Sequence, residues 1–156
     1  MSVECIVGDL LDFKQYNVIV HCVNAQGVMN AGLASSIRDR FPAAFKVYLE
    51  AYSTKELTLG TFSVATLENG NKIVNLVGQD GYGTDKRYIN YEAFYSGLET
   101  LKNILDEAAK EGRIYSLGFP MGIGCGLAGG NWKIVEAIIR SLWDNSNTKV
   151  YIVQKT

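Results

Sequence analysis

Short apolar runs alternate along this chain with longer stretches in which apolar residues recur at helical spacing. Residues 3–7 and 18–23 predict two strands, and the second is apolar at consecutive positions, which is typical of a strand buried on both faces. Residues 61–67 and 72–77 predict two more strands, and the Asn-Gly pair between them predicts an antiparallel hairpin. Residues 114–119 and 149–153 predict the last two strands.

The strongest helical pattern covers residues 91–111. The apolar residues that repeat there at helical spacing are Phe94, Leu98, Leu101, Leu105 and Ala108. Shorter helices are predicted over residues 32–41, from Pro42 to about residue 52, and over residues 132–143. Asn30 is the expected N-cap of the first of these.

This alternation of strands and helices predicts a three-layer α/β/α sandwich with a mixed, mostly parallel central sheet. The 156 residues suit a single domain that spans residues 1–156, because a chain of this length buries about two thirds of its unfolded surface. In such sheets, ligands bind beyond the carboxyl ends of the strands. We therefore look for chemistry where predicted strands end.

Composition and charge exclude several classes of protein. With 15 basic and 16 acidic residues the net charge is −1, which does not provide the positive face of a duplex nucleic-acid binder. No apolar run approaches the roughly 20 residues that cross a membrane, and we expect a cytoplasmic protein. Three cysteines without C-x-x-C spacing and one histidine predict neither a disulfide framework nor a metal site, and we expect no cofactor.

A glycine-rich segment between Phe119 and Trp132 is the most informative in the chain. Five glycines follow a predicted strand there and lead into a predicted helix. Without Cβ atoms, consecutive N–H groups can converge on an anion, and the start of the following helix adds partial positive charge. The segment therefore predicts a phosphate-binding loop. The alternative is a plain strand-to-helix connection rich in turns.

Residues 21–33 form a second strand-to-helix segment with many small and amide side chains. Two such loops at one sheet edge would make the walls of a cleft that holds a diphosphate. The Asn24 carboxamide both donates and accepts, which suits the orientation of a ribose hydroxyl. Alternatively, Asn24 serves its own turn by bonding to nearby backbone.

Other nucleotide chemistries fit less well. Residues 124–129 match G-x-G-x-x-G, but no acidic residue ends the next predicted strand, so a nicotinamide enzyme remains only as an alternative. The motif G-x-x-x-x-G-K-[ST] is absent, which disfavours an ordinary nucleoside triphosphatase. No cysteine is followed six residues later by arginine, as a cysteine phosphatase loop requires.

Over nearly its whole length the chain resembles the macro domain family, whose members bind ADP-ribose. The resemblance implies that Gly8, Asp9 and Leu10 bind the adenine end. It implies that Ala31, Gly32 and Leu33, together with Asn24, bind the ribose and diphosphate. The residues of a further phosphate loop would be Gly122, Ile123, Gly124, Cys125, Gly126 and Leu127. For Asp9, capping of a turn or helix is the alternative.

The run Ile-Gly-Cys-Gly-Leu followed by Trp132 is similar to one branch of that family, which contains ADP-ribose 1″-phosphate phosphatase and terminal ADP-ribose glutamate hydrolase. The reactive lysine of the glutamate hydrolase would fall near Gln79, and Ala128 stands where that hydrolase has a carboxylate. Without these two groups we do not expect a lysyl intermediate.

The resemblance implies a metal-independent hydrolase that converts ADP-ribose 1″-phosphate to ADP-ribose and phosphate. Asn24 would orient the ribose or the attacking water, and His21, whose ordinary pKa is about 6.5, would transfer a proton. On a regular strand, however, residues three apart face opposite sides, so the side chains of His21 and Asn24 should diverge. The alternative for His21 is a buried residue of the core. Two other functions stay open, a noncatalytic ADP-ribose reader and a hydrolase that releases ADP-ribose from a modified molecule.

Two further residues complete the predicted site. Tyr82 belongs to a polar loop over residues 81–90 that we expect to close over the distal ribose, and Met121 is expected to line the site. The expected partner is ADP-ribose or ADP-ribose 1″-phosphate, bound by a monomer.

Overall fold

The computed structural model describes residues 2–83, 85–126 and 128–156, and within these residues a six-stranded sheet carries helices on both faces. The strands are β1 (Val3–Val7), β2 (Val18–Asn24), β3 (Phe62–Thr66), β4 (Lys72–Gln79), β5 (Leu117–Pro120) and β6 (Val150–Gln154). Their order is β1-β6-β5-β2-β4-β3, and every neighbouring pair is parallel except the antiparallel hairpin of β3 and β4. The predicted three-layer sandwich with a mixed, mostly parallel sheet is confirmed.

Four α-helices cover the sheet within the described part of the chain. They are α1 (Gly32–Arg40), α2 (Pro42–Ser53), α3 (Tyr91–Lys110) and α4 (Trp132–Trp143), and a short 3-10 helix covers Leu10–Asp12. Helices α1 and α2 pack on one face of the sheet, and α3 and α4 pack on the other. None of these helices is both long and apolar enough to span a membrane.

The core lies on both faces of β2. Val18 and Val20 pack with residues of α3 and α4, whereas Ile19 packs with Ile37 of α1 and Ala44 of α2. All of these side chains are buried. Burial on both faces explains why β2 is apolar at consecutive positions, and it makes β2 a central strand whose carboxyl end lies in the middle of the sheet edge.

Two local predictions were wrong. The strand predicted over residues 114–119 is shorter at its start and runs from Leu117 to Pro120, because Ile114 lies 71% exposed before the chain reaches its pairing partners. Asn30 does not cap α1. The N-cap is Ala31, which makes no side-chain hydrogen bond, and Oδ1 of Asn30 instead accepts from Arg38 at 3.1 Å.

Candidate ligand-binding cleft

A cleft of about 410 Å³ opens where β2, β4 and β5 end. Small-molecule sites in proteins commonly have volumes of about 300–1,000 Å³. The residues that line the cleft are His21, Cys22, Val23, Asn24, Val28, Met29, Asn30, Ala31, Gly32, Leu33, Ala34, Gln79, Tyr82, Gly83, Pro120, Met121, Gly122, Ile123, Gly124, Gly126 and Ala128. Both loops singled out in the sequence therefore face the same space.

The first wall of the cleft is the amino-terminal end of α1. Ala31 provides no capping side chain, and the first backbone hydrogen bond of this turn runs from Ser35 N to Ala31 O. The earlier amides of the helix, including those of Gly32 and Leu33, have no partner within the helix. Because these residues line the cleft, the unpaired N–H groups and the positive end of the helix dipole favour an anion there.

The second wall is the glycine loop after β5. Gly122 and Gly124 have φ angles of 82° and 71°, a region that favours glycine. The amide of Ile123 donates to Pro120 O and that of Cys125 to Gly122 O, so these two amides stabilise the loop itself. Along the described chain, the amides of Gly122, Gly124 and Gly126 have no hydrogen-bond acceptor. This wall therefore offers a second set of free donors.

One residue of the predicted glycine loop does not line the cleft, and another lies outside the described residues. Cys125 is half-buried and is not among the residues that line the cleft. Leu127 lies outside the described residues. Ile123 lines the cleft. It is only 3% exposed because its side chain packs into the core beneath the loop. The loop thus contacts the cleft mainly through its glycines.

Asn24 ends β2 and organises the loop that follows. Its Oδ1 accepts from Gln26 N at 2.9 Å, and its Nδ2 donates to Val28 O at 2.8 Å. This is the turn-stabilising role that was the alternative in the sequence. Asn24 also lines the cleft at 6% exposure, and one of its two Nδ2 hydrogens has no acceptor among the described residues. Its position therefore combines loop support with the capacity to donate to a ligand.

His21 lines the same cleft but is 1% exposed. Its Nε2 lies 2.6 Å from Oδ1 of Asn75 on β4. Burial lowers the pKa of His21 to about 4, and the hydrogen bond to Asn75 raises it only in part. The expectation of a pKa near neutral pH is therefore corrected, because an imidazolium in this position would lose its hydration.

His21 and Asn24 both connect to helix α2, although residues three apart on a regular strand face opposite sides. His21 is linked through Asn75 to Ala44 of α2, and Asn24 contacts Tyr48 of the same helix. The pairing of β2 with β4 shifts register between Val23 and Asn24, at the end of the strand. The alternation of side chains that separates residues three apart consequently does not apply at this point.

The predicted adenine-end residues lie at the same sheet edge but do not line the cleft. Gly8 follows β1, and its amide donates to Gln154 O at 2.9 Å. Asp9 caps the short 3-10 helix by accepting from Leu11 N at 2.9 Å, and its Oδ2 is 3.8 Å from Arg40. Leu10 is buried in the core. Capping, the alternative for Asp9, is thus present, and the other carboxylate oxygen contacts a cation.

Tyr82 and Met121 both line the cleft and are 57% and 37% exposed. The loop that contains Tyr82 attaches to the glycine loop, because the amides of Tyr88 and Ile89 both donate to Ala128 O. The two loops are therefore joined by backbone hydrogen bonds.

The described lining carries no Lys, Arg, Asp or Glu side chain. Gln79 and Ala128 both line the cleft. Across the described residues, no group of three or more His, Cys, Asp and Glu side chains could hold a metal ion. An anion in the cleft would thus meet backbone N–H groups and no charged side chain of the described lining.

Two residues important for this geometry were missed in the sequence. Tyr48 and Asn75 are both buried beneath the cleft and hydrogen-bond to Asn24 and His21. Asn75 interrupts an apolar strand, and that polar residue in a core pattern was a usable signal. Tyr48 gave no such signal, because a tyrosine on an amphipathic helix is ordinary.

Three curated relatives align with most of the chain. It is 32% identical over 150 residues to a DNA ADP-ribosyl transferase–DNA ADP-ribosyl glycohydrolase fusion protein of Thermosipho africanus. That alignment covers 88% of this chain and 38% of the fusion protein. It is 27% identical to an ADP-ribose 1″-phosphate phosphatase of Debaryomyces hansenii (97% and 99% covered). It is 24% identical to the ADP-ribose glycohydrolase OARD1 of Bos taurus (94% and 88% covered). The chain thus spans little more than a third of the first relative.

Solved structures share the fold. A protein of unknown function from Bacteroides thetaiotaomicron superposes with a TM-score of 0.85 at 27% identity, with 99% of this chain and 98% of that chain covered. Thermosipho africanus DarTG in complex with ADP-ribose superposes with a TM-score of 0.79 at 25% identity, with 98% and 41% covered. The family model of the macro domain matches residues 20–139, which include most of β2, the glycine loop and most of α4. The chain belongs to the macro domain family.

Proposed function

We propose that this cleft binds ADP-ribose with its diphosphate between the start of α1 and the glycine loop. The observation that carries the proposal is the pair of facing walls with unpaired backbone amides, at Gly32 and Leu33 on one side and at Gly122 and Gly124 on the other. Donors on both sides suit two linked phosphates better than one. The complex of the Thermosipho africanus protein with ADP-ribose supports the same ligand class.

We further propose that the bound substrate is ADP-ribose 1″-phosphate and that the chain releases its phosphate. Because the described lining holds no carboxylate, a second anionic group meets no like charge. The relative from Debaryomyces hansenii, which is named for this activity, aligns over nearly the full length of both chains. Positioning of the substrate would supply much of the rate enhancement.

The chemistry would use a water molecule and the residues at the end of β2. The water attacks phosphorus, the bond between phosphorus and the 1″-oxygen breaks, and phosphate leaves. Because His21 is neutral, it can accept the proton of the water and return it to the departing 1″-oxygen. Asn24 would hold the ribose or the water through its free amide hydrogen.

A noncatalytic reader is the second candidate. It is favoured by the low pKa of His21, which makes this side chain a weak base, and by the uncharged lining. Release of ADP-ribose from a modified molecule is less well supported, because Gln79 and Ala128 replace the groups that would form a lysyl intermediate.

Phosphate release and ADP-ribose binding, measured on the same purified protein, separate these candidates. Binding together with turnover supports the phosphatase, binding without turnover supports the reader, and absence of binding contradicts the cleft assignment. Asn24→Asp keeps an oxygen for Gln26 N but removes the Nδ2 donor, so it should lower turnover at least ten-fold. Asn103→Ala, at an exposed position on α3, is the control that should leave both unchanged.

A further inference from the structure

The buried pair of His21 and Asn75 has a defined hydrogen-bond direction. His21 is the only histidine in the sequence, and it stands opposite Asn75 in the register of β2 with β4. Both side chains are almost fully buried, at 1% and 0% exposure, and Nε2 of the ring is 2.6 Å from Oδ1 of the amide.

The orientation of the Asn75 amide follows from its other contacts. Its Nδ2 lies 3.0 Å from Ala44 O and 3.1 Å from Ser63 Oγ. A backbone carbonyl oxygen can only accept, so the amide nitrogen must face Ala44 and the amide oxygen must face His21. Because that oxygen also only accepts, Nε2 of His21 must carry the hydrogen.

This tautomer leaves Nδ1 of His21 with a lone pair and no hydrogen, provided that the ring is neutral. Burial favours the neutral ring, since it lowers the pKa of His21 to about 4. Nδ1 is itself buried and has no hydrogen-bond partner in the described part of the chain. Buried polar atoms nearly always have a partner, and His21 lines the cleft, so the missing donor is expected from what binds there.

We propose that Asn75 is a positioning residue that holds His21 in the Nε2–H tautomer, so that Nδ1 accepts a hydrogen bond from an O–H group in the occupied cleft. That group is a hydroxyl of the distal ribose or a water molecule held beside it. The inference rests on the proposed binding of ADP-ribose. It also limits the chemistry, because Nδ1 in this tautomer cannot donate to a phosphate oxygen.

Nitrogen NMR on protein labelled with ¹⁵N-histidine tests the tautomer directly, because one histidine gives one pair of ring signals. At neutral pH the free protein should show Nε2 protonated and Nδ1 unprotonated. Saturating ADP-ribose should shift the Nδ1 signal as it accepts a hydrogen bond. ADP, which lacks the distal ribose, is the matched ligand: a shift with ADP-ribose alone indicates the ribose hydroxyl, and a shift with both indicates water.

Variants of Asn75 test its role. Asn75→Leu has a similar shape without polar atoms, and it should produce a mixture of the two tautomers and lower kcat for phosphate release at least ten-fold. Asn75→Asp retains an acceptor for Nε2–H but loses the donor to Ala44 O and places a carboxylate beside the ring, so it should keep Nε2 protonated and raise the pKa of His21. A purely structural role would lower the stability of both variants and leave the tautomer unchanged, which would overturn the proposal.

The wild-type spectra decide the matter even where a variant does not fold. Protonation at Nδ1 in the free protein overturns the role of Asn75. An unchanged Nδ1 signal in a protein that binds ADP-ribose overturns the ligand contact and leaves the proposed function intact. If ADP-ribose does not bind, the proposed function and the ligand contact both fail, while the tautomer of the free protein still decides the role of Asn75.

Discussion

The hydroxyl of Tyr48 lies 2.8 Å from Oδ1 and 2.7 Å from the backbone oxygen of Asn24, and by donating to this residue it connects helix α2 to the end of β2. The hydroxyl oxygen of Tyr48 also accepts from the amides of Gly27 and Val28, each at 3.1 Å. Tyr48 is fully buried and does not line the cleft. The shape of the loop that leads to the first wall therefore depends on a side chain that does not line the cleft.

Replacement of Tyr48 by phenylalanine should both destabilise the protein and weaken ligand binding. The variant keeps the ring but leaves buried donors and acceptors of the loop unpaired, and we expect a loss of about 1–3 kcal/mol in the free energy of unfolding. The dissociation constant for ADP-ribose should rise several-fold, because the loop loses its support. Urea denaturation and titration calorimetry measure the two effects.

Tyr95→Phe is the matched control for that experiment. The Tyr95 hydroxyl bonds to Glu99 on the exposed surface of α3, so its removal should change stability by less than about 0.5 kcal/mol. Equal stability and equal affinity of the two variants would contradict the role assigned to Tyr48.

A negative charge at Gly122 should weaken diphosphate binding. A Cβ atom at this position meets no described atom within 4 Å, and both aspartate and asparagine tolerate positive φ better than most residues do. Gly122→Asp and Gly122→Asn therefore differ mainly in charge. We expect the aspartate variant to bind ADP-ribose about 10- to 100-fold more weakly than the asparagine variant, from repulsion at an effective dielectric constant of about 20. Similar affinities would place the diphosphate elsewhere.

Ligand binding should stabilise the fold. At about one hundred times its dissociation constant, ADP-ribose should add about 2.7 kcal/mol to the free energy of unfolding. For a domain of this size the melting temperature should then rise by about 5–10 °C, which differential scanning fluorimetry resolves. Inorganic phosphate at the same concentration is the control and should give a much smaller shift. No shift at saturating ADP-ribose would argue for another ligand.

The stability of the protein should depend on pH through His21. Its pKa is lowered from 6.5 to about 4 on folding, mainly by burial, so the unfolded chain binds a proton that the folded protein does not. The free energy of unfolding should consequently fall as pH decreases from about 6.5 to about 4, by about 1.4 kcal/mol per pH unit and about 3 kcal/mol in total. Above pH 6.5 this contribution is constant.

His21→Gln isolates that dependence. Glutamine does not titrate, whereas the carboxylates titrate alike in both proteins and cancel from the difference between the two stability curves. Urea denaturation at several pH values should therefore show a wild-type curve that is steeper than that of the variant between pH 4 and 6.5. Parallel curves would show that folding does not lower the pKa of His21.

Much of the fold was predictable because its elements have local causes. Consecutive apolar residues marked β2 as a buried strand, and the Asn-Gly pair marked the hairpin of β3 and β4. The repeat of apolar residues marked α3 to within one residue at its end. The start of β5 was misplaced because pairing with β2 and β6, which the local pattern does not record, decides where that strand begins.

The position of the candidate cleft was predictable from backbone features. Glycine content and the position of each loop between a strand and a helix indicated both walls, and the structure places them around one cleft. The roles of the side chains were harder to predict from the sequence. The ordinary pKa of His21 suggested a proton carrier, but the pKa in the fold depends on burial and on Asn75, which lies 54 residues further along the chain.

The sequence by itself determined which segments are strands and helices and which two loops carry free amides, because periodicity and glycine content act over a few residues. Only the tertiary structure decided that Tyr48 supports Asn24, that Asn75 orients His21, and that Asp9 lies outside the cleft. Those relationships join residues from different elements. They arise when the layers pack and bury polar atoms that must then find partners.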